Sequence, residues 1–396
     1  MTRSHLTRAA RLRCALAALL LALSACGGGV ETGGTGAGAY VQGPISGFGS
    51  VIVGGVRFDD RSAVIEDPDG TVRRREDLRL GMRVEVESGP IGDDGSGGRV
   101  ATATRVRLAS ELLGEVGHID APNARMLVLG QLVRLTPATV VDGLAGGATT
   151  LQVGDVVEVH GFFAATEGYL ATRVERRNPA PASYRVRGLV RDLDTAASTL
   201  RIGLQVFDLG MVGVPPGLDN DQFVRLSLRT AQVGGRWPVT AISVDSPSAG
   251  DRDEAEVEGL ITAFTSAAQF AVNGIRVDAS QATFMDPSSG LREGVRVKVR
   301  GLSRAGVLAA TTVDIRSDDD GFIEGVDLRG AIGSVNAAAQ TFTLLGSVVF
   351  HGTQPAPHFD GGDARDLLTG RLVRVRGNLS PDRTRVIATR IEFVNN

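Results

Sequence analysis

The densest set of potential metal ligands in the chain is His351-Gly-Thr-Gln-Pro-Ala-Pro-His358-Phe-Asp360-Gly-Gly-Asp363. Two imidazoles and a carboxylate are the donor set of a zinc or non-haem iron site. Yet the gap between His351 and His358 contains prolines and fits neither one face of a helix nor alternate positions of a strand, so the stretch also reads as a polar loop. No metal and no other cofactor is assigned from it. Asp318-Asp319-Asp320-Gly321 offers oxygen ligands for calcium, but it lacks the spaced carboxylates and distal Glu of a calcium loop and reads as a solvated linker. Arg73-Arg74-Arg75 could meet the phosphate of a lipid or glycan; Glu76 and Asp77 follow directly, which favours a solvated loop. Phe162-Phe163 is the aromatic pair expected to include an exposed ring, because adjacent strand residues face opposite ways, and it is the candidate contact site.

The better-known catalytic signatures are missing. The single lysine, Lys298, lies among strand residues, which leaves no phosphate-binding loop of the Gly-x-x-x-x-Gly-Lys type. Gly47-Phe48-Gly49 opens like a dinucleotide fingerprint but continues Ser50-Val51-Ile52, with no helical pattern after it. No Gly-x-Ser-x-Gly elbow occurs. These residues point to a non-enzymatic protein, with a catalytic or accessory site at a junction between units as the alternative.

The N-terminus gives an address. Arg3, Arg8, Arg11 and Arg13 precede an apolar run from Cys14 to Ala25. That run is shorter than the roughly 20 residues a membrane span needs and fits a secretory leader. Leu23-Ser24-Ala25-Cys26 resembles the lipobox of bacterial lipoprotein signal peptides. The resemblance implies cleavage before Cys26 and acylation of Cys26, giving a membrane-anchored envelope protein; Gly27, where inner-membrane retention would call for Asp, implies the outer membrane. Removing residues 1–25 takes away four arginines and no acid, which moves the formal charge from −3 to −7. Such a balance lacks the clustered basic excess of a nucleic-acid binder. With Cys14 discarded and Cys26 acylated, no disulfide can form within one mature chain. The glycine-rich stretch after Cys26 is a flexible tether spanning about 20 Å.

Any site must be positioned by the remainder of the chain, and that remainder is repetitive. A Gly followed two residues later by an aliphatic residue recurs at Gly43, Gly114, Gly188, Gly259 and Gly330, with gaps of 71, 74, 71 and 71. A second landmark, Leu-x-x-Gly-x-x-Val-x-Val, runs from Leu78, Leu151, Leu291 and Leu367. A third places Ala three residues before a β-branched residue, as in Ala103/Val106, Ala171/Val174, Ala241/Val244, Ala310/Val313 and Ala388/Ile391. Within each unit the patterning is β: Val272-Asn273-Gly274-Ile275 is a hairpin signal, and Gly54-Gly55 sits at the same point of the first unit. Val157 and Val159 alternate with Glu158 and His160, and Val297 and Val299 with Arg296, Lys298 and Arg300, which predicts one face in a core and one in water.

The expected fold class is therefore all-β: five small OB-like barrels of about 70 residues behind the leader (1–25) and tether (26–40). The units are expected at 41–110, 111–180, 184–246, 255–316 and 322–396, arranged as a short rod or curved array. With Gly161, Gly301 and Gly377, these landmarks resemble a bacterial envelope domain of unknown function found in tandem on lipoproteins. The resemblance implies a fold and no activity. The third unit departs from it, with Asp221 in the Gly slot, Leu226 for Val and the insert Gly210–Gly217. The expected partners are the membrane, through the lipid anchor, and an envelope glycan or protein, without nucleic acid. A ligand-free spacer is the remaining alternative.

Overall fold

The computed structural model describes residues 38–95, 97–144, 147–287, 290–317, 325–382 and 384–394. The leader, Cys26, nearly all of the tether and residues 318–321 lie outside the described residues.

Alternating apolar residues separated by tight turns give strands, and the strands close into small rings. The first group is β1 (Ala39–Phe48), β2 (Val51–Val53), β3 (Val56–Asp59), β4 (Val64–Glu66), β5 (Arg83–Ser88), β6 (Gly92–Asp93) and β7 (Arg99–Leu108). β1 pairs antiparallel with β2 and β5, β2 with β3, and β5 with β7. β3 runs parallel to β7 and closes the ring. A ring with one parallel contact removes the sheet edges that a unit this small would otherwise expose.

The same scheme is repeated by β8 (Ser110–Asp120), β9 (Arg125–Val128), β10 (Gln131–Arg134), β11 (Val140–Asp142), β12 (Val156–Ala164) and β13 (Gly168–Arg176). It continues through β14 (Tyr184–Leu189), β15 (Arg191–Asp194), β16 (Thr199–Ile202), β17 (Gln205–Asp208), β18 (Phe223–Leu228) and β19 (Trp237–Asp245), where the opening strand is split at Val190. β20 (Arg252–Ser266), β21 (Gln269–Val272), β22 (Ile275–Asp278), β23 (Thr283–Phe284), β24 (Arg296–Arg304) and β25 (Val307–Arg316) adopt it again. So do β26 (Val326–Asn336), β27 (Thr341–Leu344), β28 (Ser347–Phe350), β29 (His358–Asp360), β30 (Leu372–Leu379) and β31 (Val386–Phe393). Several strands start slightly ahead of the expected limits, with β1 at Ala39, β8 at Ser110 and β20 at Arg252.

The landmarks have physical causes. The glycine of Leu-x-x-Gly takes a left-handed conformation in every copy, with φ of 77° at Gly81, 93° at Gly154, 83° at Gly294 and 84° at Gly370. Asp221 holds the same conformation at φ 67°, which Asp tolerates better than most side chains. Gly161, Gly301 and Gly377 each follow a break in strand register. A Cβ there would lie 2.4, 2.0 and 2.1 Å from the carbonyl oxygens of Leu170, Ala309 and Ile387. The Val-x-Val-x-Gly ending is thus a bulge with close backbone approach.

The barrels do not simply succeed one another as in a rod. β1 pairs in parallel with β20 (Ala39–Gln42 with Glu254–Val257) and, further along, with β26 (Gly47 and Phe48 with Asp327 and Leu328). β8 pairs antiparallel with β14. Buried Phe162, Ala164 and Leu170 from the second group share one apolar core with the first and the last groups. The expected water-facing side of the strands is accordingly corrected. His160 is fully buried, Glu158 and Arg296 are buried, and Glu256 is 1% exposed, because one barrel's outer face is its neighbour's packing surface.

Candidate functional site

Charges on those outer faces meet where the first three groups join. Arg83 on β5 and Glu111 on β8 form a buried ion pair. Arg187 on β14 reaches the other oxygen of Glu111 at 3.1 Å and Asp245, at the end of β19, at 2.5 Å. Arg225 on β18 donates to the Ser110 carbonyl at 2.8 Å and stands 3.8 Å from Asp245. The Arg187 guanidinium also lies over the Phe223 ring, 4.5 Å from its centroid.

Above this chain of charges opens a cavity of about 220 Å³. Its wall carries the guanidinium groups of Arg83, Arg107, Arg187 and Arg225 against the carboxylates of Glu85 and Asp245. Ser243, Ser246 and Ser248 supply hydroxyls from the end of β19 and the segment that leads to β20. Burial would raise the Asp245 carboxyl, but the Arg187 charge and hydrogen bond outweigh it and hold the group below the usual range. Burial also works against the Arg187 charge, and Glu111 and Asp245 overcome it, so its pKa is raised. Arg225 goes the other way: burial first and Arg187 second lower its pKa. The charge of Arg225 is therefore less compensated than that of Arg187. Arg83 has a buried Nε with no hydrogen-bond acceptor.

A second set of buried charges joins the first and fourth groups. Glu256 receives Arg99 at 2.8 Å, Lys298 at 2.8 Å and Arg300 at 2.7 Å.

The residues singled out from sequence are dispersed. His358 Nε2 is 3.0 Å from Asp360 Oδ1, and Arg390 takes the other Asp360 oxygen at 2.5 Å. His351 instead faces the Phe342 ring at 6.1 Å, and Asp363 binds Arg365. Among the described residues no group of three or more His, Cys, Asp or Glu side chains converges as a metal site. Arg73, Arg74 and Arg75 are each bound to a different carboxylate, Asp67, Asp77 and Asp60 respectively. The exposed ring expected of Phe162-Phe163 is not found. Phe162 is fully buried, and half-buried Phe163 packs on Tyr169 at 5.0 Å and Phe223 at 5.5 Å across the seam between the second and third groups. Arg83, Glu111, Arg187, Arg225 and Asp245 were not singled out. Their signal was charge alternating with Val or Leu on strands expected to face water.

The chain is thus defined as an all-β protein of small barrels sharing seams. Residues 114–175, 258–314 and 329–392 each match the family model described as "Domain of unknown function (DUF5666)", and the three matches are consistent with tandem repeats. Matched segments begin at or just before the opening glycines Gly114, Gly259 and Gly330, and include β12, β24 and β30 among their strands. No curated protein matches the chain.

Proposed function

We propose that the chain is a non-enzymatic protein of the cell envelope, anchored in the outer membrane by acyl chains on Cys26. Its tandem barrels serve as a binding and structural module toward an envelope glycan or protein, without nucleic acid. The observation that carries this reading is the joining of the barrels by β1–β20, β1–β26 and β8–β14 pairing, which makes one body with recesses at its junctions. The junction cavity also bears on the rival enzymatic reading. Among the described residues its lining offers serine hydroxyls and guanidinium groups but no imidazole to act as their base, so it favours holding a ligand over activating a nucleophile. The test is metabolic labelling with palmitate in a diderm bacterial host, comparing the wild type with Cys26→Ala, and then capture of the acylated protein from cross-linked envelopes. Label and membrane retention lost in Cys26→Ala, with a specific glycan or envelope protein captured, are expected. Equal labelling of both chains would remove the anchor, and capture of nothing would leave a spacer.

A further inference from the structure

The cavity where the first three barrels meet is more than a seam. A seam needs its charges matched, and here four guanidinium groups face two carboxylates in the wall, while Glu111 beneath is taken up by Arg83 and Arg187. Arg107 shares its charge with Glu66 at 3.2 Å and, within the wall, with Glu85 at 3.9 Å. That leaves Arg225, partly buried, with a carbonyl for its hydrogen bond and an Asp245 that stands 3.8 Å away and is engaged more closely by Arg187 at 2.5 Å. The buried Arg83 Nε adds a donor without an acceptor. A buried donor left unmatched is costly, and a buried cation more so, unless something supplies the missing acceptor. Beside these groups the serines at 243, 246 and 248 can hydrogen-bond hydroxyl groups.

We propose that this cavity binds a compact oxyanion, a carboxylate or phosphate carried on a small hydroxyl-bearing unit such as an acidic sugar, between Arg83, Arg187 and Arg225, with the serines on its hydroxyls. Guanidinium groups suit this because their planar donors match two oxygens of one anion. The cavity volume of about 220 Å³ admits one such unit or the end of a chain, not an extended polymer. This deepens the reading of the protein as a binding module by naming a ligand class. It is independent of the anchor, since it concerns purified protein.

The full chain, purified in detergent, is titrated calorimetrically at constant ionic strength with sodium glucuronate, inorganic phosphate and glucose. Saturable binding of one or both anions and none of glucose is expected, and the relative affinity of glucuronate and phosphate identifies the source of the oxyanion. Arg225→Gln is expected to weaken binding about tenfold or more. Ser246→Trp obstructs the mouth from an exposed rim position that makes none of the ion pairs, so it decides the matter even where Arg225→Gln fails to fold. No saturable binding of either anion, or binding unchanged in Ser246→Trp, would overturn the proposal and show an ion-pair seam alone. Either result leaves the Cys26 labelling experiment free to succeed or fail separately.

Discussion

Arg83 and Glu111 lie 28 positions apart and belong to different barrels, yet their charged ends meet with side-chain exposures of 3% and 0%. Two charges removed from water this fully repay their desolvation only while both are present. Glu111→Ala should therefore cost about 3–5 kcal/mol, because it strands Arg83 and takes one of two partners from Arg187. Arg83→Met with Glu111→Leu should cost far less than Glu111→Ala alone, since no charge is then left unpaired. Denaturant midpoints of the three chains measure this. A Glu111→Ala loss under about 1 kcal/mol would mean that water reaches the pair.

Glycine substitutions separate two kinds of constraint. At Gly154, φ is 93° and a Cβ would meet nothing within 4 Å, so Gly154→Ala should cost only about 1 kcal/mol of backbone strain. At Gly301 the φ is ordinary, but a Cβ would stand 2.0 Å from the Ala309 carbonyl oxygen. Gly301→Ala must open the bulge between β24 and β25, and a cost of about 3 kcal/mol or more is expected. Thermal denaturation of the two variants should rank them in this order; equal losses would show that the bulge relaxes freely.

Glu256 tests the joint between the first and fourth barrels. Burial raises its carboxyl, yet Lys298 and Arg300 outweigh this and hold it below the usual range. A depressed carboxyl contributes stability that is complete above its unfolded value and lost as pH falls through the folded one. Glu256→Gln should therefore lower stability at pH 7 and leave less to lose on acidification than the wild type has. The same change should speed proteolysis in the segment between Asp245 and Arg252, which leads into β20, the strand that carries the Arg99–Glu256 contact. Unchanged cleavage there would mean that the β1–β20 pairing suffices alone.

How much of this could be read beforehand differs by level. The strand signals, the Asn273-Gly274 turn and the Leu-x-x-Gly step are local requirements, so they were legible: Asn273 and Gly274 take φ of 50° and 86° as a tight hairpin needs. The contact of β1 with β20 joins residues more than 200 positions apart, and no local pattern encodes such a pairing. For the same reason Glu158, Arg296 and His160 read as water-facing. Alternation tells which residues share a face but not whether a second barrel covers it. Phe162 failed in the same way, since the face opposite its own barrel's core proved to be another core.

His160 shows what that covering does to titration. It is fully buried on β12, its ring nitrogens have no hydrogen-bond partner, and Glu158 comes no closer than 3.9 Å. Burial, with the Arg173 charge second, lowers its pKa from 6.5 to about 3. Between these values the unfolded chain takes up a proton that the folded chain refuses. Its contribution is therefore complete above pH 6.5 and is lost as pH falls toward 3, by at most about 1.4 kcal/mol per pH unit. His160→Leu removes the titration and leaves no unpartnered donor, so it should match or exceed the wild type at pH 7 by up to about 1 kcal/mol. The gap should widen by about 2 kcal/mol at pH 5. Taking the difference between the two chains cancels the carboxylates that titrate in both. A gap that stays constant from pH 7 to pH 5 would mean that the buried ring accepts its proton as readily as a free one.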